Sequence, residues 1–145
     1  MRLFLDANIL VSVLNKEYPL FTFTSRILSL SDKNKYTLFT SPLCLAIAFY
    51  FAEKKYKSIS AKKRIEILCN HINISTSNKN HVMQSLKNPA VNDFEDGLEY
   101  YSALENKCDC IITEDIDDFY FSTIEVIRSE DFFEKYLLKL KKFSK

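Results

Sequence analysis

Arg2-Leu3-Phe4-Leu5-Asp6-Ala7-Asn8-Ile9-Leu10-Val11 opens the chain with a short apolar run that stops at a carboxylate. Residues 2–6 read as a buried strand, and Asn8 is placed to cap a helix from Ile9 to about Asn15. The pattern recurs late in the chain. Asp109-Cys110-Ile111-Ile112-Thr113 reads as a strand and runs straight into Glu114 and Asp115. Between them, Pro19 opens a helix whose apolar side runs from Leu20 to Leu30, and residues 36–40 form a second strand. Ser41 and Pro42 start a helix, with a capping hydroxyl and a proline in the first turn. That helix is apolar on nearly every side through Ala52, so it is expected to be mostly buried. Residues 60–69 and 78–86 read as helices, and residues 72–74 and 125–127 as short strands. Asn92 caps a long helix over 93–107, and Ser129 caps a terminal one. Short apolar strands alternating with helices predict an α/β fold. It is a three-layer sandwich with a central, mostly parallel sheet of four to five short strands flanked by helices. Residues 1–145 form a single domain, with no repeat or linker. Ligands of such sheets bind outside the carboxyl ends of the strands, where Asp6 and Glu114-Asp115 stand.

Composition narrows the chemistry. Of 145 residues, 47% are hydrophobic and 27% charged, which argues for a folded globule and against disorder. The longest apolar run, residues 43–52, is half of what a membrane span needs, roughly twenty residues. The early carboxylate at Asp6 is incompatible with a signal peptide, so a cytoplasmic protein without membrane contact is expected. Gly97 is the sole glycine, which excludes phosphate sites built on glycine-rich loops. Cys44, Cys69, Cys108 and Cys110 read as small buried hydrophobes in a reducing compartment, with a metal or redox role for Cys108 and Cys110 as the lesser alternative. The net charge is +1, but its distribution is uneven. Residues 91–118 hold ten carboxylates and one Lys, whereas residues 54–64 hold Lys54, Lys55, Lys57, Lys62, Lys63 and Arg64 and no acid. Lys135, Lys139, Lys141, Lys142 and Lys145 make the tail basic. An acidic centre with basic flanks suits a metal-dependent site acting on a polyanion, although lysine runs alone also describe solvated helix faces.

Turning 100° per residue from Asp93 puts Phe94, Gly97, Leu98, Tyr100, Tyr101, Ala103 and Leu104 in one broad arc. Glu95, Glu99 and Ser102 fall opposite, on an expected solvated face. Asp93 and Asp96 fall inside the apolar arc, where a carboxylate without a partner is costly. Capping explains Asp93 about as well as a ligand role does, and the same alternative applies to Asp6. Asp117 and Asp118 lie near Asp115 without the glycine or glutamate of a calcium loop. Three distant segments thus each bring a carboxylate to one predicted rim. Such an oxygen-donor set favours Mg²⁺ or Mn²⁺.

These residues resemble those of a PIN domain, the metal-dependent nuclease fold of bacterial toxin–antitoxin toxins. Leu5-Asp6-Ala7-Asn8-Ile9-Leu10-Val11 is similar to its first motif. Asp93-Phe94-Glu95-Asp96-Gly97-Leu98 through Ala103 is similar to its third acidic motif, with Asp96 in the carboxylate position. Ile111-Ile112-Thr113-Glu114-Asp115 with Asp118-Phe119 is similar to its last. The family usually places a Glu in the helix after the second strand; here that position falls near Ile47, and Glu53 lies nearly two turns later.

The resemblance implies an endoribonuclease. Asp6, Asp96 and Asp115 hold the metal, aided by Asp93 or Asp118, and Asn8 and Thr113 orient ligands or water. Lys54, Lys55, Lys62, Lys63 and Arg64 hold the RNA strand. It also implies an antitoxin partner and a homodimer, with Phe21, Phe23, Phe49 and Tyr50 as candidate contacts. The alternative is a catalytically weak or silent PIN-like module that binds RNA or a protein, motivated by Ile47. A receiver domain fits poorly, because Ala7 and Asn8 follow Asp6, and a haloacid-dehalogenase-like phosphatase fails at Asn8.

Overall fold

A computed structural model describes residues 1–138. Lys139, Lys141, Lys142 and Lys145 lie outside the described residues. The elements run β1 (Arg2–Leu5), α1 (Ala7–Leu14), α2 (Phe21–Leu28), β2 (Thr37–Thr40), α3 (Pro42–Cys69), β3 (Asn73–Ile74), α4 (Lys79–Lys87), α5 (Phe94–Glu105), β4 (Cys110–Ile112), β5 (Glu125–Ile127) and α6 (Ser129–Phe132), which a π-helical turn continues over Phe133–Leu138. The five strands are all parallel, in the order β3-β2-β1-β4-β5. The expected sheet is therefore present.

The register sets Leu3 beside Leu38 and Cys110, and Leu5 beside Ile112. Leu3, Phe4, Leu5, Leu38, Phe39, Ile111 and Ile112 are all buried, the unalternating pattern of strands covered on both faces. α1, α2, α3 and α6 pack among themselves, and α4 packs on α5. Right-handed crossovers put these two groups on opposite faces of the sheet. The chain leaves β1 in one direction and returns to pair on its other side, so the crossover point lies between β1 and β4. That is where a parallel sheet opens a crevice. Among the described residues, no helix is long and apolar enough to cross a membrane.

Several local expectations are corrected. Asp6, not Asn8, caps α1, its Oδ1 accepting from the Ala7 N–H at 2.6 Å. Asp93, not Asn92, caps α5 and accepts from the Glu95 N–H at 2.8 Å. In both places the more acidic neighbour took the position beside the positive helix end. Ser41 caps α3 as expected, with Pro42 in the first turn. α3 absorbs both predicted helices and breaks at Lys57, where φ is 65°. No glycine or proline marks that break. α3 is also less buried than its composition implies: Cys44, Ala48 and Ala52 face inward four residues apart, while Tyr50 and Phe51 are exposed. Ser129 makes no cap bond; its hydroxyl donates to Glu114 instead.

Gly97 sits where α5 presses on α4. A Cβ there would stand 2.8 Å from Ser85 Oγ and from Val91 Cγ1. The Ser85 hydroxyl donates to the His81 carbonyl at 2.8 Å, which fixes it in place. Gly97→Ala is therefore expected to cost about 1–3 kcal/mol through overpacking. Urea unfolding with an unchanged m-value would measure it.

Candidate functional site

The carboxyl ends of β1 and β4 and the first turn of α5 frame a cleft of about 490 Å³. Nine carboxylates line it, among them Asp6, Asp93, Asp96, Glu99, Asp115 and Asp118, and among the described residues no Lys, Arg or His does. Val11, Leu20, Ile47 and Phe51 make an apolar wall. Neither of the ion pairs among the described residues involves these acids.

Asp6 is the fixed point. The Asp6 N–H donates to the Ile112 carbonyl at 3.1 Å, extending the sheet by one residue. Its Oδ1 caps α1, and its Oδ2 accepts from the Thr113 hydroxyl at 2.7 Å. Asn8 bridges the two strand ends. Its Nδ2 donates to Thr113 Oγ1 and to Asp115 Oδ2, each at 3.2 Å, and its Oδ1 accepts from the Glu114 N–H at 3.2 Å. The Asp115 N–H completes the loop by donating to Thr113 Oγ1 at 3.1 Å. One asparagine and one threonine thus lock Asp6 and Asp115 beside each other, although they would repel. The positive ends of α1 and α5 face the same cleft and offset part of that repulsion.

The structure brings Asp6, Asn8, Asp93, Asp96, Asp115 and Asp118 to one cleft, with Thr113 buried behind Asp6. Burial, and then Asp93, Asp118, Asp6 and Glu95, push the Asp96 acid from 3.8 up to about 7. Burial, and then Asp115 and its neighbours, raise Asp118. Glu114 lines the cleft but is tied back to Ser129, accepting from its N–H at 3.1 Å.

The wheel misplaced Glu99 and Ser102, which are buried rather than solvated. α5 is covered on two sides, and the second side is polar: Ser102 bonds to Ser75, and Cys44 of α3 donates to Glu99 at 2.5 Å. Burial, and then Asp6, raise Glu99 well above the usual carboxylate range. A buried polar face carries no signal in an amphipathic wheel. The i, i+3 spacing of Asp96 and Glu99 is the one hint that both reach a common side.

The cations do not enter the cleft. Lys55 donates to the Asn15 carbonyl, Arg64 stacks 3.7 Å from the Tyr56 ring centre, and Lys54 lies 4.1 Å over Tyr50. Lys62 and Lys63 are exposed. Of the aromatics considered for an interface, Phe23 packs against Phe133, Phe21 meets Tyr18 edge-on and Phe49 is half-buried, leaving Tyr50 exposed.

A parallel sheet with acids from β1, α5 and β4 converging at its crossover point is the arrangement of a PIN fold. The model of the PIN domain matches residues 2–117, and the chain belongs to the PIN domain family. Solved structures agree in fold. VapC20 of Mycobacterium tuberculosis, described as a toxin that cleaves the sarcin–ricin loop, superposes with a TM-score of 0.67 at 13% identity, covering 86% of this chain and 98% of its own. VapBC-1 of nontypeable Haemophilus influenzae gives 0.66 at 19%, covering 90% and 99%. VapBC2 of Rickettsia felis, solved on a DNA fragment from its promoter, gives 0.65 at 17%, covering 88% and 98%. No curated protein matches the chain by sequence.

The raised acid fixes a pH dependence. Below about pH 4 Asp96 is protonated in folded and unfolded chains alike and adds no repulsion. As pH rises towards 7, the unfolded chain ionises first and the folded state is progressively penalised. In metal-free buffer, Asp96→Asn should therefore raise the melting temperature near pH 8 and leave it almost unchanged near pH 4. Differential scanning calorimetry at both pH values checks the sign.

Proposed function

We propose that the chain is a divalent-metal-dependent endoribonuclease, the toxin of a toxin–antitoxin pair, acting in the cytoplasm. The observation that carries this reading is the convergence of Asp6, Asp96 and Asp115, from three distant segments, in a cleft that no cationic side chain of the described residues lines. The donor set fits the metal: oxygen ligands, partly buried and mutually repelling, suit Mg²⁺ or Mn²⁺. Asp6, Asp96 and Asp115 would hold it, with Asp93 and Asp118 adding to the set. A divalent ion in such a site supplies an activated water and steadies the departing 3′ oxygen of a phosphodiester.

The chain's own groups do the positioning. The Thr113 hydroxyl holds Asp6 Oδ2, and Asn8 holds Asp115, so the ligands need little reorganisation. The N-termini of α1 and α5 favour an anion at the cleft, where unscreened acids would repel one. Lys54, Lys55, Lys62, Lys63 and Arg64 hold the RNA strand away from the chemistry, which gives salt-sensitive affinity. Exposed Phe51 and the apolar wall at Leu20 and Ile47 suit an antitoxin peptide lying across the cleft, with an arginine reaching Asp6 and Asp96. A homodimer would use the exposed face of α3 around Tyr50.

Ile47 on the cleft wall favours a second reading, a silent module that binds RNA or a protein without cutting. Two measurements separate them. RNA cleavage that needs Mg²⁺ or Mn²⁺ in the wild type should drop by about 10²-fold or more in Asp6→Asn/Asp96→Asn, as loss of ligands demands. Unchanged cleavage in the double variant would remove these residues from catalysis. Mn²⁺ binding by calorimetry that disappears in Asp96→Asn argues against the silent module.

A further inference from the structure

Beneath the outer acids lies a second group of donors. Asp6, Glu99 and Cys44 are 8%, 3% and 0% exposed, and one ligand atom from each lies within 4.8 Å of the other two. They come from three elements: the end of β1, the middle of α5 and the first turn of α3. Asp96 is only half-buried, and Asp115 and Asp118 are exposed, so Asp6 and Glu99 are the deepest acids of the cleft, with Cys44 fully buried against Glu99.

Glu99 is the member whose partners all lie within the group. Among the described residues it has no ion pair, and no hydrogen bond reaches it from outside the trio. Both of its partners lie inside the trio: the Cys44 thiol, a weak donor, and the Asp6 carboxyl, with which it shares a hydrogen bond. Burial and Asp6 favour the neutral acid here, and the ionised form needs a cation beside it. Among the described residues, no cationic side chain lines the cleft to supply one.

We propose that Asp6, Glu99 and Cys44 form an inner cation position that takes a thiophilic divalent transition metal of the Co²⁺ or Zn²⁺ type, rather than Mg²⁺. The ligand types carry the choice, because one sulfur beside two carboxylate oxygens suits borderline-soft ions, whereas Mg²⁺ demands oxygen alone. Ligands about 2.0–2.3 Å from a tetrahedral ion stand roughly 3.4–3.8 Å apart, and a modest opening of the Cys44–Glu99 contact accommodates that. The Cys44 thiol proton and the proton held by Glu99 both leave to solvent as the sulfur and the carboxylate bind. The fourth position faces the cleft. This inference rests on the cleft being a cation site, and it adds regulation: an ion in the inner position competes with the outer set for the Asp6 carboxylate.

The test uses the full chain and Co²⁺ alone. Titration should raise a thiolate-to-cobalt charge-transfer band in the near ultraviolet that saturates at one equivalent. Cys44→Ser should abolish the band, and Cys69→Ser, remote from the cleft, should keep it. Glu99→Gln, which preserves shape, should retain the band but shift its midpoint to Co²⁺ concentrations higher by about tenfold or more. Should Cys44→Ser fail to fold by circular dichroism, the Glu99→Gln shift decides alone. A wild type without the band, a band that survives in Cys44→Ser, or an unmoved Glu99→Gln midpoint overturns the inner position. Mn²⁺ calorimetry on the wild type keeps the readings apart. Mn²⁺ bound without a cobalt band leaves the outer site standing and removes the inner one. Neither ion bound removes both.

Discussion

Carboxylates that repel one another are held together at the crossover point of a parallel sheet, and the rest of the structure serves that constraint. The sheet supplies the rigidity. β1 is central and buried on both faces, so Asp6 cannot retreat from its place at the strand end. Its backbone continues the ladder to β4, its Oδ1 caps α1 and its Oδ2 takes the Thr113 hydroxyl. α5 brings its acids in from the opposite face of the sheet, and the missing Cβ of Gly97 lets it lie close enough on α4 to do so. The sole glycine stands one residue after Asp96 and two before Glu99.

Among the described residues, the positive charge is kept elsewhere. Lys135 pairs with Glu125 at the far side of the sheet, Arg64 is stacked on Tyr56, and Lys55 is bound to a backbone carbonyl. A net charge near zero therefore conceals a strongly negative cleft. Such a field excludes polyanions unless an added cation inverts it, so the local distribution says more than the sum.

Much of this was legible in the sequence. Apolar runs ending in acids at Asp6 and Asp115 gave away both strands and the edge of the sheet they share, and the wheel set Asp96 off the solvated face, where the structure has it half-buried in the cleft. What the wheel lost was Glu99. Amphipathicity distinguishes apolar from polar faces, not buried from exposed ones, and α5 buries a polar side against Ser75 and Cys44. Cys44, read as a small hydrophobe, is the partner of that missed acid. The caps failed because Asn and Asp rank alike as caps by type, and in both places the charged residue took the position beside the positive helix end. The break at Lys57 carries no proline or glycine, so nothing in the local sequence marks it. The exposure of Tyr50 and Phe51 was hidden because an all-apolar helix reads as core unless the molecule uses one face for something else.

The central claim is that a divalent ion occupies the meeting point of Asp6, Asp96 and Asp115. An anomalous difference map from crystals grown with Mn²⁺ tests it most directly. The account predicts a peak within coordination distance of oxygens from all three side chains. A map with no peak there, or with these carboxylates turned towards Lys or Arg of the same chain, would contradict it.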